Sequence, residues 1–202
     1  VLAFHPDLLQ KTPLARLIKE YSYFSYNANE ALHLSGQERE TVLECMNKIR
    51  TELQHPVDKH SRSLITDNIK LLLDYCIRFY DRQFITRENT NHDILTRFES
   101  LLDDYFASDA PAQSGMPSVQ YCAGKLCLSP NYLGDLLRKE TGMSALKHIQ
   151  QKTLDIARER MSDTSKSIGE ISYELGFPYP QHFSRWFKKM TGYTPNGYRM
   201  EN

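Results

Sequence analysis

Apolar positions repeat at helical spacing along nearly the whole chain, and alternating strand patterns are almost absent. Ser35, with Glu38 three positions later, is a capping box that starts a helix, and Pro56 ends this helix. The same periodicity predicts a second helix over 58–84 and a third over 93–106. The pattern therefore predicts an all-α fold.

The second predicted helix is apolar around more of its surface than one neighbour can cover. One stripe steps by three or four positions, and a second runs beside it: Ile65, Ile69, Leu72, Cys76 and Phe79, then Leu73, Ile77 and Tyr80. Such a helix needs cover on more than one side, from a missing domain or from a second subunit. We expect a homodimer through residues 41–84, with contacts from Val42, Met46, Ile49, Leu53, Leu73, Ile77 and Tyr80.

The C-terminal half contains the same helical unit twice. The first unit ends in a helix over 130–141, which Ser129 caps and Gly142 closes. The second ends in a helix over 180–190 that closes on Gly192, at an offset of 50 residues. Two helices joined by a short turn are typical of helix-turn-helix modules, which place the second helix in the DNA major groove.

A long linker helix is predicted over 145–161, between the two helix-turn-helix units. Its length is about 26 Å at 1.5 Å per residue. With the widths of the flanking units added, we expect the two recognition helices to lie about 34 Å apart, which is one turn of duplex. The spacing predicts that one chain enters two successive major grooves.

Charge is distributed unevenly along the 202 residues. The totals balance at 25 Lys and Arg against 25 Asp and Glu, but residues 116–202 hold 12 basic and 8 acidic side chains. Residues 1–115 hold 13 and 17, and an asymmetry of this kind indicates a polyanion-binding module. The sign changes at an Ala-, Pro- and Ser-rich stretch over 108–117, which we interpret as an interdomain linker.

Three segments of the C-terminal half resemble the signature of the AraC/XylS family of bacterial transcription regulators. They are SIGEISYELGF at 167–177, FSRWFKK at 183–189 and TGYTPNGYR at 191–199, and residues 128–142 are similar to the first helix-turn-helix of that family. The resemblance implies a sequence-specific regulator that binds double-stranded DNA as a dimer, in the bacterial cytoplasm at the nucleoid. It implies no enzymatic activity and no cofactor.

The N-terminal half resembles the effector-side region of some family members more loosely. On that basis we expect residues 1–34 to be the tail of a cupin-like sensor domain whose strands are mostly missing. Residues 35–107 are then a helical dimerisation region. The linker 108–117 and the DNA-binding domain 118–202 follow. A small-molecule effector is then expected for the full-length protein, of which this chain reads as the C-terminal part, with no membrane partner.

Polar residues on one face of each recognition helix are the candidates for DNA contact. In the second helix Gln181, His182 and Arg185 suit base edges, whereas Ser184 and Lys188 suit phosphates. In the first helix the base-reading candidate is Asn131 and the phosphate candidates are Arg138 and Lys139. Many family members carry longer polar side chains where Gly134 and Asp135 stand here, so we expect the first unit mainly to position the protein. Trp186 either packs or contacts DNA.

Two other classes of function also make use of helical domains of this kind. Some proteins join a domain of this family to an alkyl-transfer repair activity, which needs a reactive cysteine, but packing explains Cys122 and Cys127. If the chain were a helical adaptor that binds only protein, the doubled helix-turn-helix motif would have no function. The His and Cys residues have no metal-site spacing, so no metal site is expected.

Overall fold

The computed structural model describes residues 1–201, and all of their side chains except those of residues 88, 89 and 201. Over this range it contains helices and no strand, so the all-α prediction is confirmed. The α-helices are α1 (Leu14–Leu17), α2 (Gly36–Gln54), α3 (Ser61–Thr86), α4 (Glu88–Ala107), α5 (Ala110–Ser114), α6 (Val119–Lys125), α7 (Pro130–Thr141), α8 (Ala145–Met161), α9 (Ile168–Glu174), α10 (Pro180–Thr191) and α11 (Pro195–Glu201). Short 3₁₀ turns connect the elements before α2. The chain divides into two compact units, Val1–Glu88 and Asn89–Asn202.

In the first unit, α2 and α3 pack along each other. The capping box at the start of α2 is present, since the Ser35 hydroxyl accepts from the Glu38 amide and the Glu38 carboxylate accepts from the Ser35 amide. The Glu38 carboxylate also accepts a hydrogen bond of 2.7 Å from Nε of Arg82, near the end of α3. This ion pair joins the start of one helix to the end of the other.

Residues of the N-terminal segment cover a second side of α3. Leu9, Leu14 and Tyr21 are buried in one core with α3 residues such as Ile69. The Tyr21 hydroxyl donates to Asp74 at 2.9 Å. Part of the cover that the α3 pattern requires is thus supplied by the chain itself, in short helical turns, a source that neither sequence-based alternative included.

Two residues assigned to the dimer contact are buried in this same core. Ile49 is 4% exposed and Leu73 is 7% exposed, so they stabilise the first unit and offer no surface to a partner. Leu53 is 68% exposed and Ile77 is 40% exposed. Helical spacing places all of these side chains on apolar stripes, but it does not tell an internal contact from an open one.

Residues 108–117 pack onto the second unit and include the short helix α5. Pro111 is buried, and the Tyr105 hydroxyl donates to the Gly115 carbonyl at 2.7 Å. Gly115 in turn lies against Gly176, in the turn between α9 and α10. The composition of this stretch predicted an interdomain linker, and in the structure part of it forms α5 within the compact unit Asn89–Asn202.

Candidate nucleic-acid interface

The first helix-turn-helix unit consists of α6 and α7. The Ser129 hydroxyl caps α7 by accepting from the Tyr132 amide at 3.2 Å, and Gly142 closes the helix with a left-handed φ of 73°. Leu133 and Leu137 are fully buried on one face of α7. The sequence prediction for this helix matches its structural bounds, because both ends carry local signals.

The second helix-turn-helix unit, which consists of α9 and α10, repeats this design. The capping box of Ser167 and Glu170 starts α9, and the Ser167 amide, which donates to the Glu170 carboxylate at 2.7 Å, holds the pKa of this carboxyl below its usual range. Phe183 and Phe187 are fully buried on the inner face of α10. Gly192 closes the helix with a φ of 85°.

The linker helix α8 packs against both units. Near its start, Nε2 of His148 lies 2.7 Å from the Thr141 hydroxyl at the end of α7. Because that hydroxyl already donates to the Leu137 carbonyl, the imidazole must be the donor at Nε2. At its other end, Met161 is buried in the core that contains Phe183 and Phe187. The two recognition helices are therefore held by one rigid element.

Helix α4 contacts the first helix-turn-helix unit and the linker helix. Nδ2 of Asn91 donates to Glu140 of α7 at 2.9 Å, and the ring of Phe98 packs edge-on against His148 at 5.9 Å between centroids. The ring of Tyr105 packs against Tyr121 of α6 at 5.2 Å. The sequence prediction placed this helix in the dimerisation region, whereas the structure packs it inside the second unit.

The end of α4 is also joined to the second helix-turn-helix. The Arg160 guanidinium donates to the Phe106 carbonyl at 3.2 Å and pairs with the Glu174 carboxylate of α9 at 3.1 Å. About one turn earlier in α4, Asp103 forms an ion pair with Lys152 of α8. The apolar spacing of α4 showed that it is buried, but nothing in the sequence identified these partners.

The structure places the polar candidates of α10 together on its outward face. Gln181, His182, Arg185 and Lys188 are exposed, and Ser184 is half-buried. The exposed ring of Tyr179, which sequence reasoning did not select, lies edge-on to the His182 ring at 5.3 Å. This face carries the donors and acceptors that suit base edges and phosphates.

The outward face of α7 is less basic. Asn131, Arg138 and Lys139 are exposed, whereas Gly134 and Asp135 are half-buried between them. The two recognition helices thus differ at two equivalent positions, because Ser184 and Arg185 of α10 correspond to Gly134 and Asp135.

Trp186 packs inside the second helix-turn-helix unit. Its ring lies 5.2 Å from that of Phe177 and 6.2 Å from that of Phe183, measured between centroids. The Trp186 side chain therefore packs within the protein, which is one of the two alternatives that the sequence left open.

The cysteines of the first helix-turn-helix differ in exposure. Cys122 is buried, and burial raises the pKa of its thiol to about 11. Alkyl transfer needs a thiolate, which this environment disfavours. Cys127 is exposed, in the turn between α6 and α7, with a φ of 58°. Among the described residues, no three His, Cys, Asp or Glu side chains are grouped so as to hold a metal ion.

Comparison with known proteins identifies the domain. A family model described as a helix-turn-helix domain matches residues 122–201. The arabinose operon regulatory protein of Escherichia coli is 33% identical over 94 residues, which cover 46% of this chain and 32% of that protein. The C-terminal domain is a helix-turn-helix domain that is similar to the DNA-binding part of AraC-type regulators. Several relatives of this domain are named as transcriptional regulators.

The likeness extends beyond the AraC-type domain in one relative. The transcriptional activator RhaS of Citrobacter koseri is 20% identical over 160 residues, which cover 79% of this chain and 55% of that protein. Because 160 residues exceed the length of the family match, this alignment reaches into the preceding segment. Over 54% of this chain, the C-terminal domain of the response regulator AraT from Geobacillus stearothermophilus matches with a TM-score of 0.48 and 27% identity, and the match covers 85% of that chain.

The chain spans about a third or less of the first curated relatives that it matches. The comparisons therefore describe its AraC-type domain and not a whole regulator. No helix among the described residues combines the length and the apolar content needed to cross a bilayer.

Proposed function

We propose that this chain is part of a sequence-specific transcription regulator that inserts α7 and α10 into successive major grooves of DNA. The observation that carries the proposal is the doubled helix-turn-helix, with both recognition helices fixed to α8 and their polar faces exposed. Its similarity to transcription regulators supports the same function. We assign Gln181, His182 and Arg185 of α10 to base edges, together with Asn131 of α7.

Phosphate contacts supply most of the affinity in this proposal. Arg138 and Lys139 near the end of α7, with Ser184 and Lys188 on α10, lie on the same outward faces as the base-reading residues. Such contacts position a protein on the duplex without reading its sequence. Affinity should therefore fall steeply with salt.

Arg185→Ala is expected to weaken binding by about 1–3 kcal/mol on the preferred duplex and to relax the preference at one base pair, because a guanidinium reads guanine with two hydrogen bonds. Lys188→Ala serves as the matched variant. It should weaken binding to all sequences equally and reduce the salt slope by about one. Titration of a selected duplex and a scrambled duplex at several salt concentrations measures both effects. Equal losses on the two duplexes for Arg185→Ala would contradict base reading by Arg185.

We further propose that the N-terminal compact unit, Val1–Glu88, forms a homodimer through residues 41–84 and the adjoining end of α3. Leu53 and Ile77 are exposed, and Val42, Met46 and Tyr80 are half-buried. Three more exposed apolar side chains of α3 lie at multiples of seven residues: Leu64, Leu71 and Ile85. A stripe with this spacing suits self-association of two helices, because identical faces meet in a two-fold dimer.

Leu71→Lys is expected to shift the dimer to monomer, by placing two ammonium groups in an apolar contact. Sedimentation equilibrium of the whole chain measures the shift as a dissociation constant at least tenfold higher. Thr51→Lys, at an exposed position of α2 on the side of the helix away from Leu53, is the control for added charge. A wild-type chain that sediments as a monomer at all concentrations would contradict the dimer.

A further inference from the structure

The two recognition helices begin after different residues. Residues 175–179 lie between α9 and α10, whereas the shorter stretch 126–129 lies between α6 and α7. Each stretch ends directly before the proline that opens the recognition helix, on Tyr179 in the second helix-turn-helix unit and on Ser129 in the first. The backbone of both residues is extended, as is typical of a residue that caps a helix. The two side chains therefore start from equivalent positions.

The stability of α10 does not explain a tyrosine at this position. Helices α6 to α9 each begin after a serine whose hydroxyl accepts a hydrogen bond from an amide of the first turn. The Tyr179 side chain forms no such bond at the start of α10. Serine, threonine, asparagine and aspartate are favoured here because their short side chains reach these amides, and the tyrosine hydroxyl lies at the far end of a ring.

Packing within the protein does not explain Tyr179 either. Ser129 is 4% exposed, whereas Tyr179 is 54% exposed. The Tyr179 ring lies 5.3 Å from the His182 ring, with the two planes at 83°. None of the described residues forms a hydrogen bond with the Tyr179 hydroxyl. The aromatic contact of Tyr179 is thus with an imidazole that we assign to a base edge, and more than half of the residue is open to solvent.

Two other tyrosines of the compact unit Asn89–Asn202 are exposed to a similar degree, but neither begins a recognition helix. Tyr173 lies on α9 and is 53% exposed, and Tyr193 follows α10 and is 48% exposed. Neither ring packs against another ring among the described residues. Tyr193 is separated from Tyr179 by the 12 residues of α10, which span about 18 Å. Of these three tyrosines, Tyr179 is the one that contacts a base-reading residue.

We propose that the rings of Tyr179 and His182 together receive the methyl group of a thymine in the major groove. The inference rests on the proposed DNA-binding function. The first residues of a recognition helix are the ones that meet base edges. On those edges the thymine methyl group is the apolar feature, and the other groups are hydrogen-bond donors and acceptors. Two rings nearly at right angles can contact such a methyl group on two sides.

This assignment adds a specificity-determining residue to the second helix-turn-helix unit. Tyr179 distinguishes thymine from cytosine, which has no methyl group, and the ring nitrogens of His182 stay available for hydrogen bonds. The first helix-turn-helix unit has the buried Ser129 in this place, so it has no equivalent contact. The two half-sites are therefore expected to differ at this position.

The first test removes the methyl group from the DNA. In a duplex that the wild-type chain selects from a random pool, each thymine of the half-site bound by α10 is replaced in turn by uracil, which lacks only the methyl group. One replacement is expected to weaken binding about fourfold, the effect of burying one methyl group. Equal affinity for all of these duplexes would overturn the proposal and leave the proposed function standing. A wild-type chain that binds no duplex at low salt would overturn both.

The second test measures variants of the protein on the thymine duplex and on the sensitive uracil duplex. Tyr179→Ser should bind the two duplexes equally, because the ring that contacts the methyl group is absent. Tyr179→Phe should keep the fourfold difference, since it retains the ring and loses only the hydroxyl. Tyr193→Ser removes an equally exposed tyrosine at the other end of α10, and this matched control should keep the difference as well.

Thermal denaturation shows whether Tyr179→Ser is folded. Its melting temperature should rise by about 2–6 °C, because a serine at this position can cap α10 as Ser129 caps α7. A thymine preference that persists in Tyr179→Ser would overturn the role of Tyr179. Loss of the preference in Tyr179→Phe would assign the effect to the hydroxyl, as a phosphate contact would, and would overturn the methyl contact.

Discussion

Gly176→Ala is expected to lower the free energy of unfolding of the compact unit Asn89–Asn202 by about 2–5 kcal/mol. The left-handed φ of 85° costs a side chain about 1–2 kcal/mol. An added Cβ would also lie 2.6 Å from the Gly115 carbonyl carbon and 2.8 Å from both the Met116 nitrogen and the Pro111 oxygen. Overpacking of this kind costs about 1–3 kcal/mol more, because the neighbours are backbone atoms that cannot rotate away. Urea denaturation of the wild type and the variant measures the loss.

The controls for this substitution are Gly142→Ala and Gly192→Ala. Both glycines have left-handed φ angles, of 73° and 85°, but a Cβ atom at either position has no atom within 4 Å. They should lose only the conformational part, about 1–2 kcal/mol. The difference between Gly176→Ala and the controls then isolates the contact between the turn of the second helix-turn-helix and residues 111–116. Equal losses in all three variants would contradict the close packing of this stretch.

Local signals predicted the recognition helices well. Ser129 and Gly142 mark the two ends of α7, and the capping box of Ser167 and Glu170 marks the start of α9. Each of these signals acts within a few residues of the backbone that it stabilises, so the sequence alone contains it. The division of the α10 side chains into buried Phe183 and exposed Arg185 likewise follows from helical periodicity.

The environment of α4 could not be predicted in the same way. Periodicity shows that Phe98 and Tyr105 are buried, but their partners His148 and Tyr121 are distant in sequence. The same limit applies to Ile49, which looked like a dimer contact and lies in the core of the first unit. An apolar stripe identifies a buried face without identifying what covers it.

The position of α4 also changes the interpretation of the charge asymmetry. Moving the boundary from residue 115 to residue 88 transfers Arg97 and five acidic side chains to the second unit, which then holds 13 basic and 13 acidic residues. The positive charge is thus a property of the helix-turn-helix pair, and α4 and the following turn bring acidic residues into the same unit. A neutral unit attracts DNA weakly at long range, so affinity must come from short-range contacts made by both recognition helices together.

Five base pairs inserted between the two half-sites are expected to reduce affinity by about 10²–10⁴-fold. When both recognition helices bind, the second contact forms at a high effective concentration, and this gain is lost if the geometry forbids simultaneous contact. Half a turn of duplex moves one half-site to the opposite side of the DNA. The chain cannot follow it, because α8 is a continuous helix of 17 residues that packs on both units.

An insertion of ten base pairs separates this rigid arrangement from a flexible one. This insertion returns both half-sites to the same side of the DNA but doubles the distance between them to about 68 Å. That distance is far longer than α8, which is about 26 Å long. Affinity should therefore stay low for both insertions, at the level of a duplex with one half-site scrambled. Five base pairs inserted outside the two half-sites, which should change nothing, provide the control in the same titration. Recovery of full affinity with ten inserted base pairs would contradict a rigid link between α7 and α10.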